Sequence, residues 1–239
     1  SQTKNGEINP VDFIVNSMYS HCYFIFRSNA DGNNNKGFNF KVTRLYSNQP
    51  YKQMNTSGPA LYFNSADGSF AAGSRAFAAF GSVAIGGSAR ARNYGSTAIG
   101  WTEATGYYST SIGTGYYYPN VASGDRSVSI GTENNATSLY AAAFGTSNNS
   151  TGERSVAIGQ GNLTSGLYAS AFGISNEANG ERSTALGYNN KANSFLSTAI
   201  GCNNDTTMAS ATTWVATEPL LMIGNGATNA SRSNAMMIL

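Results

Sequence analysis

The sequence predicts an all-β chain built around a parallel β-roll, a solenoid whose coils are 14 residues long. The first observation is a beat. A glycine closing an Ala-Ile-Gly-like triplet recurs at Gly86, Gly100, Gly113, Gly131, Gly145, Gly159, Gly173, Gly187 and Gly201, with a step of 14 six times among the eight. Self-similarity at a fixed period marks a repeat architecture. The second observation is the character of the columns that this glycine aligns. Four residues before it stand Ser82, Ser96, Ser109, Ser127, Ala141, Ser155, Ala169, Ser183 and Ser197. Two before it stand Ala84, Ala98, Ser111, Ser129, Ala143, Ala157, Ala171, Ala185 and Ala199. Immediately before it stand Ile85, Ile99, Ile112, Ile130, Phe144, Ile158, Phe172, Leu186 and Ile200, all large and apolar.

Strand side chains alternate between faces, so the two small columns share one face and the large column takes the other. A 14-residue coil is too narrow to hold large side chains inside. Ser and Ala therefore point inward, and Ile, Phe and Leu form an outward stripe. Nine coils at the strand spacing make that stripe on the order of 40 Å long. A monomer avoids leaving such a patch in water. Copies of the chain around a symmetry axis are the simplest cover.

Three regions follow in order. Residues 1–70 do not keep the beat and are expected to form a small antiparallel β cap. "DFIVNSMYSHCYFIFRS" and "FNFKVTRLY" read as strands, "NADGNNNKG" as a turn, and "PALYFNSADG" as a further strand and turn. A cap protects the open edge of a solenoid. Residues 71–207 are the roll. Within it a second period of 28 runs along the stack. Five residues before the glycine stand Tyr108, Arg126, Tyr140, Arg154, Tyr168, Arg182 and Leu196, so Tyr and Arg alternate. Stacked strands place each guanidinium about 5 Å from two phenol rings, a cation–π arrangement. Asp125, Glu153 and Glu181 share the neighbouring column.

The beat is interrupted twice. The step of 18 before Gly131 holds "GTGYYYPNVASG", read as a loop bulging from a coil. After Gly201, 23 residues pass before Gly224. There "TTWVATEPLLMIG" reads as a strand at the exit of the roll, with Trp214 expected in the core. Residues 208–239 form this exit and end on the apolar "NAMMIL", which is expected to need a partner surface or further chain. With no initiator Met, the chain reads as processed or cut from something longer.

The repeated "SVAIG" at 82–86 and 155–159 and "STAIG" at 96–100 and 197–201 resemble the head repeats of YadA-like trimeric autotransporter adhesins. The resemblance covers about residues 73–205. It implies a left-handed roll, a hand that rests on the resemblance alone, and a side-by-side homotrimer whose axis is lined by the Ile85-to-Ile200 column. The last segment, "MIGNGATNASRSNAMMIL", is similar to segments that follow head repeats in some Bacteroidetes surface proteins and phage tail fibres. The implied function is an extracellular fibre head, on a cell surface or a virion, that adheres to a surface or host. A tail-fibre receptor-binding segment and a filament subunit assembling head to tail are the alternatives.

Little in the chain is reactive. Charged residues make up 11% and the net charge is +2, which gives no electrostatic case for nucleic acid or an anionic membrane. No apolar run is long enough to span a bilayer. His21 and Cys22 are strand neighbours that point to opposite faces, an unpromising catalytic pair. No set of Cys and His suffices for a metal site, and no cofactor fingerprint is present. Cys22 and Cys202 are expected far apart and unpaired. About seven N-glycosylation sequons occur, close to chance for this composition. An enzyme is not expected. Trp101, Tyr107, Tyr108, Tyr116, Tyr117 and Tyr118 form the densest aromatic region and are the candidate contact for a surface glycan or matrix ligand. Loop packing, or contact with a neighbouring protomer, is the competing role for these rings.

Overall fold

A computed structural model of the chain describes residues 54–55, 59–64, 67–206 and 210–239. The two long strands expected before residue 50, with His21 and Cys22, lie outside the described residues. In chain order the strands are β1 (Met54–Asn55), β2 (Pro59–Asn64), β3 (Ser69–Ser74), β4 (Phe77–Ala78), β5 (Val83–Ile85), β6 (Arg90–Ala91), β7 (Thr97–Gly100) and β8 (Thr102–Ala104). They continue with β9 (Thr110–Thr114), β10 (Asn120–Ala122), β11 (Val128–Thr132), β12 (Asn135–Ala136), β13 (Ala142–Thr146), β14 (Asn149–Ser150), β15 (Val156–Gln160) and β16 (Leu163–Thr164). The last are β17 (Ser170–Ile174), β18 (Glu177–Ala178), β19 (Thr184–Tyr188), β20 (Lys191–Ala192), β21 (Thr198–Cys202), β22 (Leu221–Asn225) and β23 (Asn234–Ile238). The described residues contain no helix.

Each coil contributes one long and one short strand, and the chain winds between two sheets. The odd-numbered strands from β3 to β21, with β2, β22 and β23, make a 13-stranded sheet, and β1 with the even-numbered strands from β4 to β20 make a 10-stranded one. Pairing within the roll is parallel and in register with the beat. Ile158, for instance, lies opposite Phe144 on one side and Phe172 on the other. Both ends of the larger sheet are antiparallel: β2 folds back on β3, and β23 on β22. The glycine column runs further than the triplets indicate. Gly73 lies against Gly86 at its start, and Gly224 pairs with Gly201 at its end, so Leu221–Asn225 is one more rung.

The interior is made of small side chains, as the columns require. All nine residues of each Ser/Ala column are fully buried. The glycine is needed for two reasons. Gly159 has φ 122°, and a Cβ there would sit 2.0 Å from the Gly173 carbonyl oxygen of the next coil. No L residue fits such an approach.

One inward column was not anticipated. Three residues past the glycines stand Asn134, Asn148, Asn162, Asn176, Asn190 and Asn204, and Asn120 occupies the same rung beyond the inserted loop. All are buried. The Asn162 Nδ2 donates to the Ile158 and Gly173 carbonyls at 3.0 and 2.8 Å. Its Oδ1 accepts the backbone N–H of Asn176 at 2.9 Å. The same two carbonyl contacts repeat from Asn134 to Asn190, whereas Asn204 donates to the Lys191 carbonyl and the Met222 sulfur. Towards the N-terminal end the rung passes to Thr102, Ala89 and Ala76.

The Tyr/Arg ladder forms as the 28-residue period predicts. Arg126, Arg154 and Arg182 each lie over two rings at 5.3–5.9 Å. Where Leu196 ends the column, the last ring comes from its neighbour Phe195. The ladder also starts earlier, since Phe80 stacks on Tyr94 and Tyr94 meets Tyr108 edge-on. Glu153 and Glu181 pair with the adjacent Arg154 and Arg182. Every ladder residue from Tyr108 to Leu196 holds φ between 55° and 59°. Each is the third residue of a turn closed by a bond such as Ser155 N–H to Gly152 O, a position that usually takes glycine.

The expectation of a buried Trp214 is corrected. It is 49% exposed and lies in the strand-free stretch before β22. Met222, not Trp214, fills the interior there, because the inward column passes from Ala199 to Met222. Arg232 fastens the terminal hairpin by donating to the carbonyl oxygens of Asn189 and Asn204. Cys202 is a free thiol.

Candidate functional site

Two surfaces stand out, and the first is the stripe. Ile85, Ile99, Ile112, Ile130, Phe144, Ile158, Phe172, Leu186 and Ile200 point away from the interior and stay half-exposed. Register carries the row on to Ile223 and Met236. Alternation forces this outcome: once Ala157 points inward, Ile158 must point out.

The second surface is the inserted loop. Register fixes what is extra. Gly113 pairs with Gly131 and Asn120 continues the rung of Thr102, so residues 115–119 fill a corner that Glu133 alone spans in the next coil and that the preceding coil lacks. The loop is a tight turn, in which a Cβ on Gly115 would meet the Tyr118 carbonyl at 1.8 Å. Tyr116, Tyr117 and Tyr118 project with 75%, 72% and 72% of their surface exposed. The first two rings meet edge-on with centroids 4.5 Å apart.

Glu133, in the next coil, holds the loop. Its Oε1 accepts the backbone N–H groups of Tyr116, Tyr117 and Tyr118 at 3.0, 2.5 and 3.3 Å. The Tyr117 N–H above all, with those of Tyr118 and Tyr116, holds the carboxyl below the usual glutamate range. The charge is spent on the main chain: Glu133 enters none of the ion pairs among the described residues. Sequence reasoning did not single it out. The signal was its place one coil beyond the insertion, where Ser147, Gly161 and Ser175 stand in the following coils.

The six candidate aromatics separate into two groups. Trp101 precedes Thr102, so register puts it one rung from both Thr114 and Pro119, at the foot of the loop. Tyr107 and Tyr108 lie before β9, at the opposite corner of the coil, and Tyr108 belongs to the ladder. Among the described residues no group of three or more His, Cys, Asp and Glu is placed to hold a metal. Three sequon asparagines, Asn148, Asn162 and Asn204, are in the buried column and offer no acceptor while the roll is folded.

A two-sheet roll with small inward columns and an apolar outer stripe defines a repeat-built structural domain. A family profile, described as the YadA head domain repeat, matches residues 78–102, 122–147, 136–162 and 165–190. Over those residues the chain is similar to YadA head repeats, consistent with its parallel two-sheet solenoid. No curated protein matches the chain.

Proposed function

We propose that this chain is the head of an extracellular trimeric fibre that works as an adhesin, with the roll as a rigid post. The observation that carries the reading is the stripe. Eleven half-exposed apolar side chains, from Ile85 to Met236, stand in register on one sheet face. Water does not favour so long an apolar row, and side-by-side packing about a threefold axis covers three such rows together. Repeats of a family whose heads are trimers support the same assembly.

Light scattering on the intact chain is the test. Three chains per particle are expected, and Ile158→Asp with Phe172→Asp should release monomers that retain β-rich circular dichroism. A wild-type monomer at micromolar concentration would sink the proposal.

A further inference from the structure

We propose that the loop of residues 115–119, with Trp101 at its foot, is a binding site for neutral saccharides, and that Glu133 is the residue that positions it. The proposal rests on the reading of the chain as an adhesive head, but the site lies within one protomer.

The argument starts from what the loop offers. The amide donors of its three tyrosines are consumed by Glu133, so a ligand meets side chains: three phenol rings with their hydroxyls, and the indole. Flat π faces edged by hydroxyl groups suit a partner with apolar C–H faces and many hydroxyls, which is a sugar ring. The carboxylate on which the loop rests, Glu133, is already committed to the backbone. Nothing there recommends an anion, and no ion pair touches these residues.

Size points the same way. Four rings at this exposure present on the order of 500 Å². A stable protein partner needs about 800 Å² from each side. The patch is sized for a few sugar units. One such contact is weak, but three copies on one head raise the avidity of attachment to a glycan-coated surface.

The latch explains why bare tyrosines serve. A loop that must be ordered on binding loses affinity to entropy, and prior fixing avoids that loss. Glu133 fixes the main chain while leaving the rings free to make contact. The sign of its pH dependence follows. A carboxyl held below its usual range contributes its bonds fully above the ordinary glutamate value, and loses them as the pH falls through the lowered one.

The test uses the intact chain on an array of neutral hexose and N-acetylhexosamine oligosaccharides, with acidic glycans on the same array. A monovalent titration then follows Trp101 emission in a Trp214→Phe background. We expect binding to neutral spots that falls about tenfold or more in Tyr116→Ala/Tyr117→Ala/Tyr118→Ala, with the oligomeric state unchanged. Glu133→Ala should weaken binding comparably. Glu133→Gln should bind at an intermediate level without the acid-induced loss shown by wild type. A blank array, binding confined to acidic glycans, or spots that the triple variant retains would each overturn the site. Binding by Glu133→Ala equal to wild type would overturn the latch. Because light scattering reads the trimer separately, loss of this site leaves the fibre-head reading standing, and the reverse also holds.

Discussion

At the scale of single residues, the coil interior is governed by hydrogen-bond completeness rather than by apolar volume. Asn162 makes bonds that no other residue of its size can reproduce between rungs. Asn162→Ala should cost about 2–3 kcal/mol in chemical denaturation, since buried carbonyl and N–H groups lose their partners. Serines of the inward column are not equivalent. The Ser155 hydroxyl donates to the Gly152 carbonyl at 2.7 Å, whereas the Ser183 hydroxyl has no partner. Ser155→Ala should therefore destabilise by about 1 kcal/mol while Ser183→Ala is neutral or stabilising. Equal losses at the two sites would contradict this account. The small columns were legible because they flank the conspicuous triplet. The asparagine column was equally periodic, but it lies beyond the glycine among loop-like residues, where Asn is ordinarily a turn former. Its role is invisible until register stacks one amide on the next.

At the scale of elements, the ladder couples backbone strain to side-chain stacking. Arg154 sits at φ 55° and lies over Tyr140 and Tyr168 at 5.4 and 5.3 Å. The left-handed conformation costs a non-glycine residue about 1–2 kcal/mol. Two exposed cation–π contacts return about 0.5–1 kcal/mol each. Arg154→Ala keeps the strain and loses the stack. Arg154→Gly loses the stack but also the strain, so it should be about 1 kcal/mol more stable than Ala, which equilibrium unfolding of the two variants would show. Sequence periodicity announced this ladder from Tyr108 onwards. It did not announce Phe80 and Tyr94, which sit one place earlier relative to their glycines; the ladder position itself is Gly81 and Gly95, where a Cβ would meet the next ring. The loop was likewise visible as an insertion, but not its latch. The one sequence signal for Glu133, an acid where later coils have Ser147, Gly161 and Ser175, gains meaning only when the coils are stacked.

At the scale of the whole molecule, stability is close to a sum over neighbouring coils, because each coil touches mainly the ones beside it. The stripe is the exception, since its proposed cover is supplied by other chains. Melting should therefore depend on protein concentration in the wild type and not in Ile158→Asp/Phe172→Asp, a comparison that scanning calorimetry can make. Trp214 shows the limit of composition as a guide. A large aromatic before a strand reads as core, yet the inward place opposite Ala199 goes to Met222, and Trp214 lies outside any strand.

The asparagine column has a mechanical consequence. An attached fibre under flow is pulled along its axis, the direction in which the coils are bonded to one another. Coils in series all carry the same load, so extension begins at the weakest junction. The amide rungs run from Asn120 to Asn204, while Thr102, Ala89 and Ala76 stand in their place nearer the N-terminal end. Under tension that end should open first, leaving the amide-bonded part wound. Single-molecule pulling would register this as an early, low-force lengthening that disappears when residues 73–104 are removed.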